Sequence, residues 1–502
     1  MFIDINSGLI IGSSISAQDH TVIIRTKGSL EFIAVGVYNS IMHSGGFNLG
    51  GIKTFMSKVE AGFINIDVEG SANLFGAIFR AASLDIKAEY INFSDSYRHI
   101  AGASNAFKEL QIWLTHPAIY DMAVNSSVIS SKFEVFQSIK LDLLKGKIDL
   151  YQSYGGAKEI HLRQRQGDIE FDRDMHFPYV VMSVHADQGK IMFGVKKERI
   201  VHEHNRRSFL GIFFSRSYKE EYIDHVAISG NSLNFSAQEI EVHGNITAQK
   251  VAMQADHSIK ITANKVEGHI KQSIIKADNA FIIAENIEQI GSIFRIKDEL
   301  KIISHNDVRI IPIEVISNYM EHSSSSGWFV KKSVSQKTRA VKQVISSIHA
   351  GMLNIDAGRA AEFIGALIDV ESIDMHVRDL KIMSAKEIFE RQIEHKSTKR
   401  FGPFKTGSKT TTRYIYDEHV IPTMITAAKQ SIIVDLDATI ETAKAFAEQN
   451  IMLKVGGNLT IKEGYNIHIH DYQSKTYKVL SATKSGLKFG SFKEMGQVCA
   501  RA

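Results

Sequence analysis

Residues 231–262 read Asn-Ser-Leu-Asn-Phe-Ser-Ala-Gln-Glu-Ile-Glu-Val-His-Gly-Asn-Ile-Thr-Ala-Gln-Lys-Val-Ala-Met-Gln-Ala-Asp-His-Ser-Ile-Lys-Ile-Thr. Apolar side chains recur two apart: Leu233 and Phe235, Ile240 and Val242, Val251 and Met253, Ile259 and Ile261, with Ile246 standing alone. A period of two is the signature of a strand. The gaps between bursts hold a few small or polar residues, such as Ser236-Ala237-Gln238 and Gly244-Asn245. They suit a chain that bends and continues in the same rotational sense. A longer period overlies the short one. Leu233 is echoed by Val251, Leu353 by Ile373, and Ile432 by Ile451. Repeats of roughly 20 residues mark solenoids, and strand units make this one a parallel β-helix. Successive turns would stack about 4.8 Å apart.

Working outward, composition agrees. Five prolines in 502 residues, with 44% hydrophobic content and a net charge of +4, exclude collagen-like, Pro-rich and disordered chains. Length alone suggests about three domains. No Pro/Ser/Gly linker separates them, which favours one continuous solenoid. Scarce proline fits ladder bonding, because proline removes a ladder N–H. Some 20 turns would give a rod about 100 Å long. The lone Cys499 permits no internal disulfide and no all-Cys metal site.

Two regions follow. Residues 1–190 read as divergent turns, with bursts at 10–17, 22–24, 30–34, 63–68 and 84–86 and an irregular segment near 95–125 around Trp113, His116 and Pro117. The pairs Gly45-Gly46 and Gly50-Gly51 read as turn punctuation. Residues 191–502 read as regular turns. Within them, 437–449 is rich in helix formers, but Ile432-Ile433-Val434 and Ile451, Leu453, Val455 keep the strand register on either side. The flanks favour a strand there.

Four polar insertions interrupt the turns, near 202–218, 321–339, 394–413 and 470–492. They share a plan: Glu-His, a polar or basic stretch, an aromatic beside a glycine, then more basic and hydroxyl residues. Glu203-His204, Glu321-His322 and Glu394-His395 open three of them in step. The step from His322 to His395 nearly equals the step from His395 to His470, so a few turns plus one insertion form a higher-order repeat.

This pattern resembles the filamentous-haemagglutinin repeat family. Gly12-Ser13-Ser14-Ile15-Ser16-Ala17 and Gly456-Gly457-Asn458-Leu459-Thr460-Ile461 match its turn motif. The stretches 323–332 and 396–409 match its Ser/Lys-rich projecting hairpin. The match covers about 190–502 well and 1–190 loosely. The resemblance implies an all-β fold, a right-handed parallel β-helix with projecting β-hairpin insertions, the hand also following from the crossover rule. It implies a secreted or cell-surface Gram-negative exoprotein exported through an outer-membrane transporter. Such proteins serve as adhesins, or as stalks of contact-dependent inhibition toxins, and meet a receptor or glycan on a host or neighbouring cell. Met1-Phe2-Ile3-Asp4-Ile5-Asn6 lacks a basic n-region and an apolar stretch, so no signal peptide is expected. The pattern begins and ends in mid-turn, as an internal piece of a longer exoprotein would. Open first and last turns are expected to self-associate.

The chemistry-bearing residues fall in the insertions. Lys396, Lys399, Arg400, Lys405, Lys409 and Arg413 flank Phe401 and Phe404, a candidate surface for polyanionic glycans or lipid headgroups. Residues 402–410 nearly match a phosphate-binding loop, but Ser408 sets the lysine one position late and no helix start follows. His202 and His204, and His468 and His470 beside Asp471, could each share a strand face, yet no third metal ligand is evident. A β-helical glycan-active enzyme would need paired acids along one groove, and no such pair recurs. The expectation is a binding protein without catalytic residues, metal or cofactor, and without nucleic acid as a partner.

Overall fold

The structure, a computed structural model, describes the chain outside residues 12, 34, 44–45, 56, 76, 93–131, 146–156, 172–173, 195, 210–211, 224, 267–268, 402–403, 484–485, 496–498 and 502. The irregular segment expected at 95–125 lies outside the described residues. All elements among the described residues are strands. They fall into two compact units, Met1–Asn286 with Ile296–Lys301, and Ile287–Arg295 with Ile302–Ala502.

In the first unit long strands pair in parallel, each with a strand from the next layer. Ser57–Val68 pairs with Ala77–Ala88, which pairs with Lys132–Lys145. The ladder continues through Glu159–Gln166, Met175–Ala186, Val226–Val242 and Lys250–Thr262. Register stacks like on like. One column runs Ile64, Leu84, Ile139, Ile160, Met182, Leu233, Val251. A second runs Ile66, Ile86, Leu141, Leu162, Val184, Phe235, Met253. No member of either column is more than 2% exposed. Burying each such side chain contributes about 1.5–3 kcal/mol. All nine apolar residues picked out in 231–262 are buried in this core. On the outward side the chain alternates charge along a row, as in Asp67, Lys87, Asp142, Arg163.

The second unit repeats the plan. Ser347–Ile364 pairs with Leu367–Met383, and that strand pairs with Thr423–Val434, which pairs with Ala443–Val455, all in parallel. Two of the three expected repeats hold, since Leu233 faces Val251 and Leu353 faces Ile373. The third differs: Ile432 faces Leu453, and Ile451 faces Gln430. That layer is longer than expected, and an irregularity between Ala427 and Lys429 shifts the register by a further residue. The helix-forming stretch 437–449 is strand, Ala438–Glu441 and Ala443–Val455, held by ladder bonds to the preceding layer.

Proline marks the breaks. Pro178 falls in the register shift between Phe177 and Val181. Pro312 and Pro422 sit where the chain leaves and re-enters the parallel stack.

Plain layers turn through a single residue in the left-handed region. Gly291 (φ 57°), Gly365 (φ 52°) and Thr442 (φ 47°) occupy the same corner. Their N–H groups donate to the carbonyls of Ile311, Met383 and Lys462, each at 3.0 Å. Glycine suits that conformation, whereas a β-branched residue is strained there by about 1–2 kcal/mol. The Thr442 hydroxyl, moreover, is buried without a hydrogen-bond partner. Thr442→Gly is therefore expected to stabilise the second unit by about 0.5–1 kcal/mol net of glycine's entropy. Gly365→Thr should do the reverse, because its Cβ would meet the Ala385 Cβ at 2.6 Å. Thermal unfolding midpoints of the two variants check this; a lower midpoint for Thr442→Gly would count against it.

A composite sheet of projecting hairpins as the candidate functional site

The polar insertions are antiparallel hairpins, each wider than its polar core. In the first unit Lys196–Phe209 pairs with Ile212–Ile223 around the stretch 202–218. In the second unit three hairpins follow. The first joins Ile313–Ser326 to Val330–Val344, and the second joins Ala385–Phe401 to Phe404–Ile421. The third joins Ile467–Thr483 to Gly486–Met495, with Cys499–Arg501 pairing on the same outgoing strand. Two shorter hairpins escaped the sequence reading: Val35–His43 with Gly46–Phe55, and Asn264–Val266 with His269–Lys271.

The three hairpins of the second unit pair side by side. The returning strand of the first bonds the outgoing strand of the second, from Val330 opposite Lys399 to Val341 opposite Ile388. The returning strand of the second bonds the outgoing strand of the third, from Gly407 opposite Lys478 to Glu418 opposite Ile467. A geometric coincidence makes this possible. The chain leaves the stack at Ile313, Ala385 and Ile467, with two parallel layers between departures. Two layers rise about 9.6 Å, which is also the width of two paired strands. Successive hairpins therefore meet without a gap, and one antiparallel sheet results.

The necks of the first two hairpins are each fastened by a buried hydroxyl. Ser346, where the first hairpin re-enters the stack, donates to the carbonyls of Ile311 at 2.6 Å and Gln289 at 3.2 Å. Thr423 does the same at the second neck, to Met383 at 2.6 Å and Phe363 at 3.4 Å. Ile311 and Met383 are also the acceptors of the corner N–H groups of Gly291 and Gly365. Both lone pairs of each neck carbonyl are thus used.

The acids of the first and second hairpins are confined to their neck side. Near the necks lie Glu314, Glu321, Glu387, Glu390, Glu394, Asp417 and Glu418. Buried Glu418 pairs with Lys386 at 2.8 Å and accepts from the Tyr416 hydroxyl at 2.8 Å. Those two bonds, the lysine's first, hold its carboxyl below the usual glutamate range. Farther out the acids stop: no Asp or Glu occurs in 322–355, 395–416 or 472–493. What remains is Lys and Arg among Ser and Thr.

The candidate cations divide between the two faces of this sheet, because alternate strand residues point to opposite sides. Lys332, Ser397 and Lys409 stand in one row, and Lys399 and Arg413 share their face. Lys396 is on the other face, with Lys331 and Lys475. All seven of these basic residues are exposed. Arg400 and Lys405 face each other at the tip of the second hairpin. The Arg400 N–H donates to the Phe329 carbonyl at 2.8 Å and ties that tip to the first. Beside it Trp328 is 94% exposed, so this aromatic is not packed on the stem. Sequence reading found the cations of one hairpin. The partners from the neighbouring hairpins, Lys331, Lys332 and Lys475, were missed because they become neighbours only through lateral pairing.

The Glu-His motifs, in step along the sequence, are one residue out of step in space. His322 shares a row with Ser335 and Glu394, not with His395. A one-residue offset sends the two histidines to opposite faces. His468 bonds Asp417 through Nδ1 at 2.9 Å, and His470 faces Ile415. Among the described residues no group of three metal-binding side chains gathers. The near phosphate-loop stretch leads into a strand, Phe404–Ile421, rather than a helix. A shallow concavity of about 360 Å³ on the sheet is lined by Asn318, Met320, Lys337, Arg339 and Glu390 among others, with a single carboxylate. In comparisons with protein-family models, with curated proteins and with solved structures, none matches the chain.

Proposed function

We propose that the chain is a segment of the stalk of a filamentous-haemagglutinin-like surface exoprotein, and that its hairpin sheet is an adhesive surface for acidic glycans. On this reading each unit is a run of right-handed parallel β-helix. The helix is the mechanical part and the hairpins are the binding part. The chain reaches the cell surface through an outer-membrane transporter. The observation that carries the proposal is the composite sheet itself: three hairpins, spaced to touch, bring basic tips free of acids onto one support. Linear polyanions bind such surfaces by releasing counterions along their length, an effect that grows with the number of cations in reach. Hydroxyls between the ammonium groups supply donors to sulfate or carboxylate oxygens.

The test is attachment. Beads coated with the chain should adhere to glycosaminoglycan-bearing cells and should lose adhesion when those glycans are stripped enzymatically. Equal adhesion before and after stripping would reject acidic glycans as the ligand.

A further inference from the structure

Among the described residues, the outermost strand of the hairpin sheet, Ile313–Ser326, has a bonded neighbour on one side only. Its register with Val330–Val344 is unbroken along its whole length, without a bulge. It contains no Lys, Arg or Pro, and its only acids are Glu314 and Glu321. From Ile316 onward every residue is exposed, including Ile316 (52%), Tyr319 (58%) and Met320 (68%). Natural edge strands are blunted by lysine, proline, bulges or short length. This one has none of those devices. The concavity lined by Asn318, Met320 and Arg339 opens beside it.

The sheet itself shows what such an edge accepts. Every other outgoing strand in it, Ala385–Phe401 and Ile467–Thr483, pairs antiparallel with the returning strand of the hairpin before. At the opposite edge the returning strand Gly486–Met495 bonds, among the described residues, only its own outgoing partner. The sheet thus ends in an outgoing strand on one side and a returning strand on the other, the two halves of the joint it already uses twice.

We infer that Ile313–Ser326 is a β-augmentation site for a second copy of this chain, which docks through its returning strand Gly486–Met495. Continuing the rows pairs His322–Ser326 of one copy with Ser491–Met495 of the next, and backbone bonds along that stretch supply the affinity. The contact is heterologous, so it does not close on itself and adds copies in series. Continuing the rows of the sheet sets Ser325 of one copy beside Phe492 of the next. The inference stands independently of the adhesive reading, because it concerns backbone edges and not the basic tips.

The experiment uses the full chain carrying Cys499→Ser, by sedimentation velocity over a concentration series. The weight-average mass should at least double across the series. The variant Ser324→Lys/Ser326→Lys, which sets a lysine beside Lys493 of the next copy, should stay monomeric with an unchanged strand-type circular dichroism spectrum. A parent protein that remains monomeric throughout, or assemblies that persist in the lysine variant, would overturn the inference. A second readout does not depend on the lysine variant folding. Proteins carrying Ser325→Cys and Phe492→Cys, each in the Cys499→Ser background, should form a disulfide-linked pair when mixed under mild oxidation, and neither should do so alone. Absence of the mixed pair, or equal linking in the single variants, contradicts it.

Discussion

Replacing Phe235 with alanine is expected to lower the stability of the first unit by about 3–5 kcal/mol. Phe235 is 2% exposed and stands in the column between Val184 and Met253. Its ring meets Phe193 edge-to-face at 4.9 Å, and Phe193 in turn stacks on Phe171 at 5.0 Å with 9° between planes. The loss therefore includes apolar burial, a cavity between layers that ladder bonds keep from collapsing, and an aromatic pair worth about 0.5–1.5 kcal/mol. Phe281 is the control. It is 38% exposed, lies under Lys301, and its truncation should cost far less. Chemical denaturation of both variants decides the point. Similar losses at the two sites would mean that the inward columns are not the core.

Removing the neck hydroxyls is the second large expected effect. Ser346→Ala and Thr423→Val should each destabilise the second unit by about 1–3 kcal/mol, because each removes the single hydroxyl proton that a buried neck carbonyl, Ile311 or Met383, accepts. The sites share no partner, so the double variant should show the sum of the two losses. Ser325→Ala, on the exposed edge strand, should stay within about 0.5 kcal/mol of the parent. If the neck variants behave like Ser325→Ala, the hydroxyls do not fasten the hairpins.

The parallel stack was largely legible in the sequence. Residues such as Leu233, Phe235, Ile240 and Val242 are buried on one face, so the period of two is preserved in their spelling. The strand at 443–455 shows the limit of propensity: its alanines, with Lys444, Glu448 and Gln449, favour helix locally, and the ladder to Thr423–Val434 overrides them. The hairpins were legible as polar interruptions but not in extent. Their strands are wet on both faces, so Ile313–Ser326 carries no alternation from which bounds could be drawn. Lateral pairing was not legible, since it depends on the match between hairpin width and the rise of two layers. The Glu-His motifs show a related limit. Equal spacing along the chain does not fix register across a joint, and a shift of one residue separates His322 from His395.

The central claim is that basic residues from successive hairpins act together in binding polyanions, with cations of neighbouring hairpins combining on each face of the composite sheet. Heparin affinity of the full chain as a function of salt tests it most directly. Three proteins are compared: the parent, a tip variant with Lys331, Lys332, Lys396, Lys399 and Lys409 changed to glutamine, and a stack variant with Lys58, Lys140 and Lys260 changed likewise. The parent should bind with a steep salt dependence. The tip variant should bind about a hundredfold more weakly at low salt, with a shallower slope, while the stack variant should match the parent. Equal weakening in the tip and stack variants, or a parent that does not bind heparin, would contradict the account.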